Sequence, residues 1–191
     1  MAKLLFLAGS ARTESLNKKL AKQASVIAEK AGAQATFIDL KDYPMPIYDG
    51  DLEEAQGLPE NAAKLKALFA AHDGFFIASP EYNSSFSSLL KNTLDWISRP
   101  GAKDEPPLIA YKGKVAALGA VSPGGIGGLR GLMPLRMLLG NIAVHVLPQQ
   151  VAVSNGFTAF GDDGALTNNT HAEMLKDLIN ALVQTADKLN A

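Results

Sequence analysis

The chain has 191 residues, 47% hydrophobic and 19% charged, with a net charge of −1 and no cysteine. These values read as one soluble globular domain over residues 1–191, and they exclude disulfides, thiolate catalysis, a nucleic-acid footprint and a polybasic membrane patch. No stretch reaches transmembrane length, the apolar run after Lys3 is too short for a signal peptide, and the lack of cysteine fits a cytoplasmic protein.

Strands and helices alternate along the chain. Residues 3–8 form a near-continuous apolar run, the pattern of a parallel strand buried on both faces. Residues 15–31 predict a helix, with Leu16, Leu20, Ala24, Ile27, Ala28 and Ala31 on one stripe and Gly32 as the stop. Ala35 to Asp39 predict strand two. Residues 41–59, rich in proline and glycine, predict a long surface loop. A helix through Leu65, Leu68 and Phe69 leads to strand three at Gly74–Ala78. Residues 86–98 predict a helix, and Pro100 to Pro107 a further loop. Strand four runs from Val115 to Val121. The glycine-rich stretch 124–131 leads into a helix ending near Gly140. Strand five lies within Ile142 to Val153 and is expected to be broken at Pro148. Residues 169–190 predict the last helix. Five strands separated by helices imply a parallel α/β sheet covered on both faces, with ligands at the carboxyl ends of the strands.

Three segments stand at those ends. Gly9-Ser10-Ala11-Arg12-Thr13-Glu14-Ser15-Leu16-Asn17 joins strand one to its helix. Free N–H groups and the helix dipole make such a junction an anion site, and Ser10, Ser15, Asn17 and Arg12 add donors suited to phosphate. Capping and surface roles are the competing reading of those residues. The stretch is neither a Walker A loop nor a dinucleotide fingerprint. Ser79-Pro80-Glu81-Tyr82-Asn83-Ser84-Ser85 follows strand three. A turn and an N-cap explain Pro80, Asn83 and one serine, but not an aromatic on the ligand edge. Ser122-Pro123-Gly124-Gly125-Ile126-Gly127-Gly128 follows strand four, either as a helix lead-in or as a loop that lets backbone approach a flat ligand.

These segments, with Leu90-Lys91-Asn92-x-x-Asp95-Trp96-x-Ser98-Arg99-Pro100, strongly resemble the NADPH-dependent FMN reductase family. This is a flavodoxin-like group that includes quinone and chromate reductases and related azoreductases. The resemblance implies a doubly wound five-stranded parallel sheet in the order 2-1-3-4-5, with helices on both faces. It implies that Ser10, Arg12, Ser15, Leu16 and Asn17 hold the FMN phosphate. Pro80, Glu81, Tyr82, Asn83 and Ser84 would border the isoalloxazine, with Ser122, Gly124 and Gly125 beside it.

The implied function is an FMN-dependent oxidoreductase that takes hydride from NADPH or NADH and serves a small-molecule oxidant in alternating half-reactions. Quinones, free flavin, azo compounds and chromate are the implied oxidants. The flavin carries the chemistry, so no side chain is named as a catalytic acid or base. Tyr82 would face the substrate. Arg99 either attracts the nicotinamide phosphates or an anionic acceptor, or forms a structural ion pair. Asp39 reads as a cap, Asp95 as a partner of Lys91, and Trp96 as core or subunit contact. No histidine has metal-ligand spacing, and no metal is expected. A homodimer or homotetramer is expected, with residues 41–59 and 96–107 as contacts. The alternative is an electron carrier or a regulatory FMN-binding module. Near-neutral charge disfavours a carrier, which needs an acidic docking face.

Overall fold

A computed structural model of the protein describes residues 1–189. In chain order the elements are β1 (Lys3–Ala8), α1 (Leu16–Lys30), β2 (Gln34–Ile38), α2 (Gly50–Gln56), α3 (Glu60–Ala71), β3 (Gly74–Ala78), β4 (Glu81–Tyr82), β5 (Ser85–Phe86), α4 (Ser88–Ser98), β6 (Val115–Val121), α5 (Leu129–Asn141), β7 (His145–Val153) and α6 (Asn169–Leu189). Residue 190, expected to close the last helix, lies outside the described residues.

Among the described residues, β2-β1-β3-β6-β7 form one parallel five-stranded sheet. This is the expected order, with β6 and β7 as the fourth and fifth long strands. Alternation along the strands divides the core in two. Leu4, Phe6, Ala8, Phe76 and Ala117 face α1 and α6. Leu5, Leu7, Phe75, Ile77, Ala116 and Leu118 face α3, α4 and α5. Every residue of β3 and β6 is buried, which is why these strands read as unbroken apolar runs. Each fully buried Leu, Ile or Phe contributes about 1.5–3 kcal/mol.

The ladder continues one residue past three strands. Gly9 N–H donates to Ala78 O (2.9 Å), Ser79 N–H to Gly119 O (2.8 Å) and Ser122 N–H to Val153 O (3.1 Å). The segments that follow β1, β3 and β6 therefore leave the sheet side by side.

Three expectations need correction. Residues 41–59 are not one loop. A 3-10 turn at Leu40–Asp42 is capped by Asp39, and α2 is capped by the Asp49 side chain. No residue of α2 is buried, so the helix carries no apolar stripe to read. The Glu81–Phe86 segment holds a hairpin instead of a plain turn. Its two-residue turn, Asn83-Ser84, has both φ values positive (51° and 65°), the type I′ geometry that matches strand twist. Pro148 does not end β7. The register slips between Ala116 and Leu118, so the proline sits in a bulge on an edge strand. Arg136 from α5 stitches that bulge by donating to Leu147 O at 2.6 Å and to the Gln150 side chain at 3.1 Å.

The first helix is tied to the second strand by charge. Lys18 is buried, and its ammonium meets Asp39 at 2.6 Å while that same carboxylate accepts from Lys41 N–H at 2.9 Å. Asp39 is partly exposed, but removing it leaves the buried Lys18 ammonium uncompensated. Asp39→Ala is expected to cost about 3–5 kcal/mol. Urea unfolding read by far-UV circular dichroism checks this, and a loss below about 1 kcal/mol, the range of an exposed pair, would show that Lys18 reaches water instead.

Candidate functional site

The segments after β1, β3, β6 and β7 enclose a cleft of about 460 Å³, within the range of small-molecule sites. Ser10, Arg12, Ser15, Leu16 and Asn17 form one wall, Pro80, Glu81 and Tyr82 another, and Val121, Ser122, Pro123 and Phe157 the rest.

The first wall is a helix start. Ser15 is the N-cap of α1, and its hydroxyl accepts from Lys18 N–H at 3.4 Å. The N–H groups of Leu16 and Asn17 have no acceptor among the described residues, and they open at the cleft. Ser10 is buried, and its hydroxyl accepts from Arg12 N–H at 3.3 Å, which curls the loop. Arg12 is exposed, and its guanidinium has no ion-pair partner among the described residues. This wall combines open N–H groups, the positive end of a fifteen-residue helix and a free cation, which is the chemistry a phosphate requires. Glu14 also lines it, as an exposed acid.

The Asn17 side chain also has a partner within the fold. It donates to Val121 O (3.1 Å) and accepts from Val121 N–H (3.0 Å). These two bonds hold the side chain against the end of β6, and the Asn17 backbone N–H stays open at the cleft.

The second wall is braced from below. Ser87 caps α4, accepts from Leu90 N–H at 3.2 Å and donates to Gly9 O at 2.6 Å. Glu81 pairs with Arg130 at 2.9 Å and accepts from Gly131 N–H at 3.3 Å, so its carboxylate caps α5. That anchors the hairpin and gives the Glu81 carboxylate partners on α5. Tyr82 is half-exposed at the cleft rim.

Not all expected residues meet here. Gly124 and Gly125 line a smaller hollow of about 210 Å³ with Glu81 and Ser122. A Cβ at Gly125 would meet nothing within 4 Å, so this backbone is open to approach. Gly127 is required by the fold itself: its φ is +67°, and a Cβ would lie 2.7 Å from Ala152 C. Asn83 lies beyond Tyr82 in an adjoining depression, and Ser84 is an exposed turn residue. Lys19, Val121 and Phe157 are cleft residues that sequence reasoning missed. Phe157 sits in a Ser-Asn-Gly-Phe turn after strand five, and that turn was the available signal.

Arg99 does not line the cleft. Its Nε donates to both oxygens of Glu53 (2.8 and 2.9 Å), and its guanidinium lies 5.8 Å from the Tyr48 ring. The structural ion pair is the role seen. The Leu90–Pro100 motif acts as scaffold around it. Asn92 and Trp96 both donate to Pro46 O at 2.8 Å, and Trp96 is fully buried, which leaves it no part in a subunit contact. Lys91 pairs with Asp95, as expected.

Comparison with known proteins follows this geometry. The model of the NADPH-dependent FMN reductase family matches residues 2–158. The chain belongs to that family. It is thereby an oxidoreductase of the flavodoxin-like type. It is 32% identical to an NAD(P)H-dependent FMN reductase of Pseudomonas aeruginosa, over 94% of this chain and 92% of that one. It is also 32% identical to an NAD(P)H:quinone oxidoreductase of Solanum tuberosum, over 98% of this chain and 94% of the relative. Among solved structures it resembles a flavoenzyme NAD(P)H:(acceptor) oxidoreductase from Paracoccus denitrificans, with a TM-score of 0.82 and 29% identity over 98% of both chains.

The Glu53 cluster predicts a pH signature. Hydrogen bonding from Arg99, and then from Tyr48, holds the Glu53 carboxyl below its ordinary value of 4.5. A depressed carboxyl adds stability above the unfolded value and loses it as pH falls through the folded one. Arg99→Met should therefore lower the Tm at neutral pH, and the gap to wild type should close in acid. The pair is partly exposed, so the effect stays below about 1 kcal/mol. Thermal melts across pH test this. A rise in KM for NADPH or quinone in the same variant would instead give Arg99 a role toward substrate.

Proposed function

We propose that the chain holds FMN in this cleft and oxidises NADPH or NADH with a quinone as acceptor. Free flavin, azo compounds and chromate are further acceptors in this reading. The supporting observation is the joining of an open helix N-terminus to an apolar, aromatic-edged wall in one cleft. The backbone N–H groups of Leu16 and Asn17, the hydroxyls of Ser10 and Ser15 and the Arg12 guanidinium would hold the phosphate. Pro80, Tyr82 and Ser122 would border the ring system, with Gly124 and Gly125 giving backbone access. When bound, FMN supplies the hydride and electron chemistry that no side chain of this cleft offers. A single phosphate cradle fits a mononucleotide in preference to FAD.

The residues of the chain then bind and orient. Tyr82 and Pro123 present an open rim where the nicotinamide donor and the acceptor would sit in turn. Shared occupancy of one rim forbids a ternary complex. The absence of cysteine supports a cytoplasmic setting. Leu129, Met133 and Met137 form an exposed apolar row along α5, continued by Ile126. That row supports assembly of like chains into a dimer or tetramer, which sedimentation would count.

Two measurements test this reading. Pigment released by heat should have the mass of FMN. Double-reciprocal plots of NADPH oxidation at several quinone concentrations should be parallel. FAD, or no flavin after reconstitution, would refute the cofactor assignment. Intersecting lines would refute the shared rim alone.

Arg12→Ala should weaken FMN binding by about ten- to a hundredfold, since a charge-assisted contact is worth roughly 1.5–3 kcal/mol. The fold should persist, because Arg12 is exposed at the sheet rim. An unchanged dissociation constant in a fluorescence titration would place Arg12 outside the cradle.

A further inference from the structure

Phe157 is 83% exposed at the mouth of the cleft that it lines. A large aromatic ring on a loose loop would settle onto the nearest apolar surface. Here the turn that carries it is braced. Gly156 N–H donates to Ser122 O at 3.0 Å, and Thr158 N–H donates to Asn155 O at 3.0 Å. The Thr158 hydroxyl donates to the same carbonyl at 3.2 Å. Asn155 adopts the left-handed region, with φ 53°. A Cβ on Gly156 would meet Leu16 Cδ1 at 2.6 Å and Val121 Cγ1 at 3.0 Å. The turn is thus wedged between the first turn of α1 and the end of β6, with Phe157 at its tip.

The cofactor assignments above leave this ring unused. The phosphate falls to residues 10–17, and the ring system to the segments after β3 and β6. Two charged cleft residues are also unassigned, Glu14, an exposed acid just before α1, and Lys19. Lys19, exposed on the next turn of α1, has no ion-pair partner among the described residues. An exposed aromatic ring and an exposed ammonium in one cleft suit a purine that carries phosphates: the base stacks and the ammonium meets the phosphate. The dinucleotide donor has such a half. A quinone has none.

We propose that Phe157 is the stacking platform for the adenine of the NAD(P)H donor, with Lys19 beside it to meet the donor's phosphates. The assignment rests on reading the cleft as the site of NAD(P)H oxidation. It separates a nucleotide end of the cleft, at Phe157 and Lys19, from a reacting end at Tyr82.

The test uses flavin-loaded enzyme and two donors. NADPH carries the adenylate half, and reduced nicotinamide mononucleotide lacks it. Anaerobic stopped-flow bleaching of the bound flavin gives an apparent affinity for each. Wild type should prefer NADPH, and Phe157→Ala should reduce that preference about five- to a hundredfold, the range expected for one stacked base. Phe157→Trp should retain it. An unchanged preference in Phe157→Ala would overturn the proposal, as would a preference lost equally in Phe157→Trp. A changed sedimentation coefficient with an unchanged preference would assign the ring to a contact between copies, which also overturns it. Failure of the underlying reading looks different: wild type itself would carry no flavin and oxidise neither donor.

Discussion

The amide of Asn17 exchanges two hydrogen bonds with the backbone of Val121 across 104 positions of sequence. Both partners are buried, so breaking this pair would orphan an N–H and a carbonyl at the sheet edge, at about 1–3 kcal/mol for each unsatisfied group. The pair acts as an extra rung of the ladder, supplied by a helix. It holds the first turn of α1 against the end of β6, and with it the open N–H groups of Leu16 and Asn17. The wall at residues 10–17 and the Ser122 wall are therefore tied together. A site for a long, flat cofactor needs that, because both ends of the ligand must be met at a fixed separation.

The other walls are fixed by the same economy. Ser87 caps α4 and holds Gly9 O in one gesture. Glu81 caps α5 and anchors the hairpin that carries Tyr82. The Leu90–Pro100 motif is a layer further out. Asn92 and Trp96 grip Pro46 O, and Arg99 grips Glu53. Charged groups that a sequence reader assigns to ligand can therefore be scaffold. Among the described residues, the two cations that line the cleft, Arg12 and Lys19, have no ion-pair partner.

The strands were legible because burial on both faces leaves an unbroken apolar run, as in Leu4–Ala8 and Val115–Val121. Helix α1 was legible from its stripe and its serine cap. Helix α2 was hidden because its seven residues bury nothing. The hairpin was hidden because Asn83-Ser84 serves as well in an open turn as in a type I′ turn. Pro148 misled because a strand break and an edge-strand bulge carry the same residue, and only the pairing with β6 separates them.

By itself the sequence carried the α/β alternation, the strand order through its family motifs, and the strand-to-helix junction with its short donors at residues 9–17. The alternation follows from local periodicity, the character of residues 9–17 from capping chemistry and the junction of a strand with a helix, and the strand order from the family resemblance alone. Only the tertiary structure decided that the Asn17 amide pairs with Val121, that Glu81 pairs with α5, that Arg99 pairs with Glu53, and that Phe157 stands at the cleft mouth. Each of these is a contact between segments tens of residues apart. Side-chain chemistry names what a residue can do, and the fold chooses among its partners by distance and by the cost of leaving a buried polar group unpaired.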